Sequence, residues 1–280
     1  MKPKRYRLKI ALPVASALAL AASPAQAVVT LYTDNFASGS SANDLAAAAG
    51  GQALGTGGAT GAQHTQYGTS STAQWLDGLT GDTHPFRADG TVLYSSGVRE
   101  IGGAWASFTP QQGYTYTASA TIDRGITAGT VDWLAFGFMD QLGNTFVDSG
   151  YAAVGIRGDG YTPAGSSDGF TFQGFQLGGY GGEFNFDNDG ANVIDIVMNT
   201  MPALSSAWTV QYFIGGNSLG APSLVTANGG SGNFGDISYL GFSSSSANGT
   251  ISNFSLTVIP EPSAALLGAL GALALLRRRR

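Results

Sequence analysis

Alternation of apolar and polar side chains with a period of two residues is the feature that most constrains how this chain can fold. Residues 114–123 read YTYTASATID, in which aromatic or apolar side chains alternate with Thr, Ser and Asp. Residues 208–214 and 252–258 show the same period. Because successive side chains of a β-strand point to opposite faces of the sheet, this period predicts strands that are buried on one face.

Other stretches complete an all-β pattern. Residues 131–139 and 237–242 are apolar almost throughout, which predicts strands covered on both faces. Turn-forming pairs such as Asp89-Gly90 and Asn248-Gly249 separate the segments, and no segment between them shows a sustained helical period. The sequence therefore predicts one all-β domain, a two-sheet antiparallel β-sandwich whose first and last strands lie close together. Further strands are expected at residues 28–36, 91–95, 104–109, 151–157, 169–177 and 193–198.

The order and the alternation pattern of these segments resemble those of the concanavalin A-like lectin/glucanase group. The resemblance is clearest in the closing run WTVQYFIGGNSLG…ISYLGFSSSSANGTISNFSLTV. This resemblance implies a jelly roll. A galactose-binding-like sandwich would show similar alternation and stays open as an alternative. Within the domain, residues 37–74 consist mostly of Ala, Gly, Ser and Thr, which predicts a flexible insertion.

Charge and composition exclude several classes of function. Between residues 28 and 258 four Arg stand against 17 acidic residues and there is no Lys, a formal charge of −13. Such a segment lacks the basic surface that nucleic-acid binding requires. The chain also has no Cys, which excludes disulfides, thiolate nucleophiles and Cys-ligated metal sites.

Residues 1–27 have the three parts of a secretory signal peptide. A basic start is followed by an apolar stretch and then by Ala25-Gln26-Ala27, the small-x-small triplet that signal peptidase recognises. We expect transport by the general export machinery and cleavage after Ala27 by signal peptidase. The domain, residues 28–258, is therefore expected outside the cytoplasm.

Residues 259–280 form a second tag. Pro260, Glu261 and Pro262 precede an apolar run at residues 263–276, which as a helix would span about 21 Å of a hydrocarbon core of about 30 Å. The positive-inside rule keeps a terminal basic cluster cytoplasmic and the domain on the other side. That cluster consists of Arg277, Arg278, Arg279 and Arg280.

This tail resembles the PEP-CTERM sorting signal of exported proteins from Gram-negative bacteria that make extracellular polymer. The resemblance implies processing near Pro260-Glu261-Pro262 by a membrane-embedded exosortase, after which the protein reaches the cell surface or extracellular matrix. An ordinary C-terminal transmembrane anchor would give the same orientation and remains the alternative.

One short segment has the composition of a calcium loop. Asn185, Asp187 and Asp189 supply oxygen ligands at alternate positions and Gly190 permits a sharp turn, as in the first half of a calcium-binding loop. The Glu expected at the twelfth position is missing, because Ile196 stands there. A solvated Asx/Gly hairpin turn explains the same residues and stays open. No other cofactor is indicated.

The sequence contains no recognisable catalytic constellation. Glycosidases need two carboxyl groups across the scissile bond, yet the domain has only Glu100 and Glu183 as glutamates, neither in the Glu-x-Asp-x-(x)-Glu pattern of many fold relatives. Trp75 and Trp133 are the best candidates for aromatic surfaces that stack on sugar rings. The predicted function is a non-catalytic structural or glycan-binding protein of the extracellular polymer. The alternatives are a polysaccharide-active hydrolase and a calcium-stabilised adhesion module.

Overall fold

The fold is a two-sheet antiparallel β-sandwich, as the sequence predicts. A computed structural model describes residues 27–35, 66–70, 74–77, 86–87, 92–93, 101–125, 133–139, 150–157, 169–173, 180–184, 191–224, 237–245 and 248–260. The part from Val28 to Pro260 belongs to one compact unit. Its only described helix is a single 3₁₀ turn at Ser205–Ala207. Among these ranges, none contains a helix long and apolar enough to cross a membrane.

The described residues form sixteen strands. In chain order they are β1 (Val29–Asp34), β2 (Leu76–Asp77), β3 (Phe86–Arg87), β4 (Val92–Leu93), β5 (Ile101–Ser107), β6 (Tyr114–Gly125), β7 (Trp133–Met139), β8 (Gly150–Arg157), β9 (Gly169–Gln173), β10 (Tyr180–Phe184), β11 (Ala191–Asn199), β12 (Thr209–Ile214), β13 (Asn217–Ser218), β14 (Ser223–Leu224), β15 (Tyr239–Ser245) and β16 (Asn248–Pro260).

Each sheet draws its strands from distant parts of the chain. The first sheet runs β13-β12-β11-β6-β16-β4-β3, with β1 also paired to β16 and β14 to β12. The second runs β10-β9-β8-β7-β15-β5-β2. Strand β1 lies antiparallel to β16, with Val29 opposite Val258. This pairing confirms that the first and last strands lie close together.

The main core lies between the two sheets and follows the period-two pattern. In β6, Tyr116, Ala118, Ala120 and Ile122 are buried, whereas the Thr and Ser residues between them are only half-buried. The second sheet contributes phenylalanines to the same core. Among these aromatic side chains, Phe136 and Phe242 are stacked with ring centroids 4.9 Å apart. The predicted half-buried strand therefore has the predicted face inside.

Irregular pairing interrupts the alternation in two strands of the first sheet. In β1 the register shifts between Thr30 and Tyr32, so that the adjacent residues Leu31 and Tyr32 are both buried. In β16 the pairing with β6 shifts between Ser252 and Ser255, and Asn253 has a φ of 52°. One extra residue in one strand of a pair is a β-bulge, and Asn tolerates the left-handed conformation better than most residues.

Two tyrosine hydroxyl groups join the sheets. The Tyr32 hydroxyl donates to the carbonyl of Ser107 at 2.9 Å and accepts from the amide of Ser70 at 2.9 Å. Burial raises the pKa of Tyr32 to about 12. The Tyr212 hydroxyl has a hydrogen bond to the backbone of Ala153, and burial raises its pKa as well. Both phenols therefore stay neutral across the physiological pH range.

Residues 66–70 and 74–77 are held tightly against the sandwich. The amide of Thr109 donates to the carbonyl of Gly68 at 2.8 Å. Trp75 is 0% exposed, and its indole N–H donates to the buried Asp34 carboxylate at 2.8 Å. This corrects the expectation that Trp75 offers a surface for stacking, because both its ring and its polar atom are used inside the fold. Residues 37–65 lie outside the described residues.

Candidate functional site

Where their side chains are described, the central strands β5, β7, β8 and β15 of the second sheet are largely buried on both faces, unlike the strands of the first sheet. In β7, Phe136 and Phe138 belong to the main core between the sheets, as predicted for a strand covered on both sides. Side chains alternate along a strand, so Ala135 and Met139 lie on the opposite face, which we call the outer face of the second sheet. That face has a small apolar cluster of its own, made of Trp105, Ala135, Met139 and Ala153, with Leu76 and Tyr239 packed against it.

The middle of this outer face is a floor of very small residues. Trp105 in β5 lies opposite Gly241, which lies opposite Gly137 and then Ala153 across neighbouring strands. A Cβ atom at Gly241 would lie 2.7 Å from Cε3 of Trp105, and one at Gly137 would lie 2.5 Å from Cβ of Ala153. The Trp105 ring thus occupies the space that a side chain at position 241 would fill. Glycine inside a strand marks a place where another group approaches the backbone closely.

A serine hydroxyl lies on this floor. Ser243 in β15 lies opposite Gly103 on one side and Ala135 on the other. Its neighbour Phe242 is in the main core, so the Ser243 side chain is on the outer face. Ser243 is 1% exposed, and its Oγ atom has no hydrogen-bond partner. Such a group is unusual, because most buried polar atoms are hydrogen-bonded.

Strand register places further aromatic and charged residues on the same face. Trp133 lies opposite Arg157, two positions along β7 from Ala135. Further out, Gly155 lies opposite Phe170, which lies opposite Glu183. Cross-strand partners share a face of a sheet. Backbone register thus continues the rows of small residues to positions 133, 157, 170 and 183.

The outer face of the first sheet has a different character. Thr117 lies opposite Thr257, and Ser119 lies opposite Ser255, all four of them half-buried. Phe213 is a half-buried aromatic residue on the same face. Short hydroxyl side chains directly opposite each other stabilise a sheet that has one face in solvent. This face is a suitable reference surface for mutational controls.

The predicted metal ligands lie outside the described residues. This holds for Asn185, Asp187 and Asp189, which fall between β10 and β11. Within the described ranges, no three His, Cys, Asp or Glu residues come together in a group that could hold a metal ion. The calcium loop thus remains a prediction from sequence.

Few residues of the two predicted tags are among the described residues. Pro260 is the last residue of β16 and lies opposite Tyr114. Ala27 is the first described residue. The rest of both tags is outside the described ranges, including Ala25, Glu261, Pro262, Arg277, Arg278, Arg279 and Arg280.

The small-residue floor was not predicted, although the sequence contains a pattern that indicates it. Strand β7 reads WLAFGFM and β15 reads YLGFSSS. In both, large apolar residues alternate with Ala, Gly or Ser. The large residues fill the main core, and the small ones leave room on the other face. Period-two alternation of residue size, rather than of polarity, is what identifies this surface.

Comparisons with known proteins show similar folds at low identity. No known protein family and no curated protein matches the sequence. Similar solved structures include alginate lyase Aly36B, with 12% identity, a TM-score of 0.38 and coverage of 84% of this chain and 97% of the lyase. The potassium-bound Emp46p carbohydrate recognition domain has 12% identity and a TM-score of 0.43, covering 68% of this chain and 88% of that domain.

A seed lectin of Lotus tetragonolobus has 10% identity and a TM-score of 0.42, covering 68% of this chain and 94% of the lectin. Likeness at this level transfers neither an activity nor a ligand. The predicted two-sheet antiparallel sandwich is confirmed by the strand pairing of the chain itself.

Proposed function

We propose that this protein is an exported β-sandwich that binds an uncharged polysaccharide outside the cell, without breaking it down. The observation that carries the proposal is the row of small residues at Ala135, Gly137 and Ala153, with the Trp133 position next along β7. Aromatic rings pack well against the apolar C–H face of a sugar, and small residues in a strand let another group approach the backbone closely.

The charge of the domain favours an uncharged ligand. The domain as a whole carries a formal charge of −13, which would repel a polyanion over distances of about 8 Å at physiological ionic strength. Hydroxyl-rich neutral chains meet no such barrier.

Binding can be tested with the secreted protein on a glycan array, followed by titration of the strongest neutral ligand. We expect Trp133→Ala to weaken binding about tenfold or more, the loss of one aromatic stacking contact. Phe213→Ala, on the outer face of the first sheet, is the matched control and should leave affinity unchanged. Equal affinities for the two variants would contradict the proposed surface.

The export route rests on the two tags. We propose that the protein is held briefly in the inner membrane, with its C-terminus cytoplasmic, and then released or re-attached outside by an exosortase-type enzyme. Replacing only Glu261 and Pro262 with Ala tests this, because Pro260 belongs to β16 and is left unchanged. We expect the unprocessed form to accumulate at the membrane. Normal processing of that variant would argue for an ordinary anchor.

A polysaccharide-active enzyme is the second candidate, favoured by the register of Glu183. Its cross-strand partner Phe170 lies opposite Gly155, which lies opposite Ala135, so position 183 is in register with the small-residue floor. A carboxylic acid beside a bound sugar can act as an acid or base catalyst. Release of reducing ends from a bound glycan, abolished by Glu183→Gln, would establish this activity in place of simple binding.

A further inference from the structure

We propose that one end of the sandwich is a membrane-contacting surface, where Val28, Leu204 and Leu224 enter the lipid interface while the C-terminal tail is anchored. The inference rests on the proposed export route, in which residues 263–276 are held in the inner membrane. It is independent of the proposed glycan binding, because it concerns an end of the sandwich rather than the outer face of the second sheet.

The first step is that the chain leaves the sandwich at one end of the first sheet, which we call the exit end. Strand β16 finishes there at Pro260, opposite Tyr114, the first residue of β6. Strand β11 ends at the same level, because its last residue, Asn199, lies opposite Thr115. Strand β1 begins there as well, beside the last residues of β16. The start of β1 and the end of β16 therefore both lie at the exit end.

The second step is that exposed apolar side chains gather at the exit end. Leu204 is 71% exposed and lies in the connection from the end of β11 to the start of β12. Leu224 is 53% exposed and lies opposite Thr209, the first residue of β12. Val28 is 59% exposed and directly precedes β1. Among the described residues, Val193 is the one other exposed large apolar side chain. Apolar side chains that gather on one part of a surface mark a contact with a partner or a membrane.

The third step is that the described residues of the exit end carry no charge, although the domain as a whole carries a formal charge of −13. Asp123, in contrast, is exposed near the last residue of β6, at the opposite end of the first sheet, which we call the far end. Burying a charge away from water is costly, so an uncharged surface enters a lipid interface most easily. No Asp, Glu, Lys or Arg occurs at the exit end of the first sheet in residues 27–30, 109–115, 199–209, 222–224 and 257–260.

Neutral polar side chains accompany the apolar ones. Gln111 and Gln112 are exposed in the connection that leads into β6, and Asn199 is exposed at the end of β11. A surface that lies on a membrane buries its apolar side chains about 5–10 Å into the boundary between headgroups and acyl chains. Amide side chains beside them can form hydrogen bonds with the headgroups. The composition of the exit end therefore fits a lipid interface.

The fourth step is the short length of chain between the sandwich and the proposed anchor. Only Glu261 and Pro262 separate β16 from the apolar run at residues 263–276. The three chain steps from Pro260 to Ser263 span at most about 11 Å. The run spans about 21 Å as a helix, about 9 Å less than the hydrocarbon core, and a bilayer becomes locally thinner around so short a span. In the anchored protein the exit end therefore lies at the membrane surface.

The experiment uses the protein with its C-terminal tail attached, reconstituted in vesicles of phosphatidylcholine and phosphatidylglycerol. The chain has no Cys, so Leu204→Cys and Ala191→Cys each carry a single environment-sensitive fluorophore. Ala191 is exposed at the far end and is the matched control, because eight residues of β11, about 26 Å, separate it from Asn199. That distance exceeds the headgroup layer, which is about 5–8 Å thick. Spin-labelled lipid should quench the fluorophore at position 204 and leave the one at position 191 unquenched.

A second measurement tests the apolar side chains themselves, with the fluorophore on Gln112→Cys at the exit end. Leu204→Asp combined with Leu224→Asp should abolish lipid quenching at position 112, because the added carboxylates stay in water. Ala191→Asp combined with Asn217→Asp adds the same charge at exposed far-end positions and should leave the quenching unchanged. Both double variants should keep the melting temperature of the wild type, since the substituted side chains are exposed.

The outcomes separate this inference from the export route. If the protein does not float with the vesicles, the tail is not an anchor and both proposals fail. If it floats but positions 204 and 191 are equally unquenched, the anchor stands and the membrane-contacting surface is overturned. Shielding at position 204 that grows with the protein-to-lipid ratio, without quenching by labelled lipid, would assign the surface to a second copy of the chain instead. Unchanged quenching at position 112 in the Leu204→Asp, Leu224→Asp variant would overturn the role of the apolar side chains.

Discussion

Substitution of Gly68 by alanine should be among the most destabilising single changes in this domain. Gly68 has a φ of +87°, a conformation that residues with a Cβ atom rarely adopt. A Cβ atom there would lie 1.5 Å from the backbone oxygen of Thr109. The obstacle is a backbone atom just after β5, which cannot rotate away as a side chain could. The neighbouring bridge between Thr69 and Phe108 holds residues 66–70 against the same stretch of backbone.

The magnitude has two parts. The left-handed conformation costs a residue with a Cβ atom about 1–2 kcal/mol. Forcing an extra methyl group into a packed region costs about 1–3 kcal/mol more. Gly216 isolates the first part, because its φ is +79° and a Cβ atom would meet nothing within 4 Å. We expect Gly68→Ala to lower the free energy of unfolding by about 2–5 kcal/mol in total, and Gly216→Ala by about 1–2 kcal/mol.

Urea-induced unfolding followed by tryptophan fluorescence measures both variants under the same conditions. For a domain of this size, each 1 kcal/mol lowers the melting temperature by about 2–4 °C, so thermal unfolding provides a second measurement. A deficit for Gly68→Ala that exceeds that of Gly216→Ala by at least about 1 kcal/mol is the expected result. Equal losses would refute the reasoning, since they would mean that residues 66–70 can move away from β5 at no cost.

Three further predictions concern the buried polar groups and the calcium loop. Burial raises the pKa of Tyr32 to about 12 from an ordinary value of 10.0, so its neutral form contributes stability in full below pH 10 and loses it as the pH rises from 10 to 12. The stability lost over that range is about 3 kcal/mol, and Tyr32→Phe should reduce the alkaline fall in unfolding free energy by that order. In a double-mutant cycle, Asp34→Ala and Trp75→Phe should show a coupling of about 1–3 kcal/mol through their 2.8 Å hydrogen bond, whereas additive effects would contradict its importance. If residues 185–190 bind Ca²⁺, excess Ca²⁺ should raise the melting temperature relative to chelator, and an Asp187→Ala variant should lose that shift; no shift in the wild type would remove the calcium loop.

Much of the sandwich can be predicted from the sequence because the pattern of apolar residues follows the burial of the strands. Strand β6 alternates between large or apolar residues and Thr or Ser, and its buried side is the predicted one. The continuous apolar runs of β7 and β15 are buried on both faces. In each case the pattern reports directly which side chains leave water.

The strands that were not predicted lack this pattern of apolar residues. Strand β10 reads YGGEF, and two adjacent glycines give neither alternation nor strand propensity. The pairing partner β9 supplies the constraint instead, with a register shift between Tyr180 and Gly182. Strands β2 and β3 are only two residues long and carry no period at all. Their existence depends on tertiary pairing, which no local window contains.

The candidate site was only partly predictable. Simple alternation along β7 predicts that Trp133 falls on the face opposite the core, and this stays a prediction from sequence. Trp75 was misplaced because its partner Asp34 is distant in sequence and supplies a buried acceptor that no local pattern reveals. Ser243 could not have been singled out, since it stands in a run of four serines and its burial depends on tertiary pairing.

The position of β16 determines when this domain can fold. This strand is the last of those described, yet it lies inside the first sheet, between β6 on one side and β1 and β4 on the other. An emerging chain that lacks it therefore exposes the long unpaired edge of β6, the kind of edge that invites aggregation. Pairings between strands so distant in sequence also form slowly. If the chain is exported in extended form, as proposed, this order has a benefit, because the first sheet cannot close early and block passage. A truncation before residue 248 should leave β1 without its partner β16.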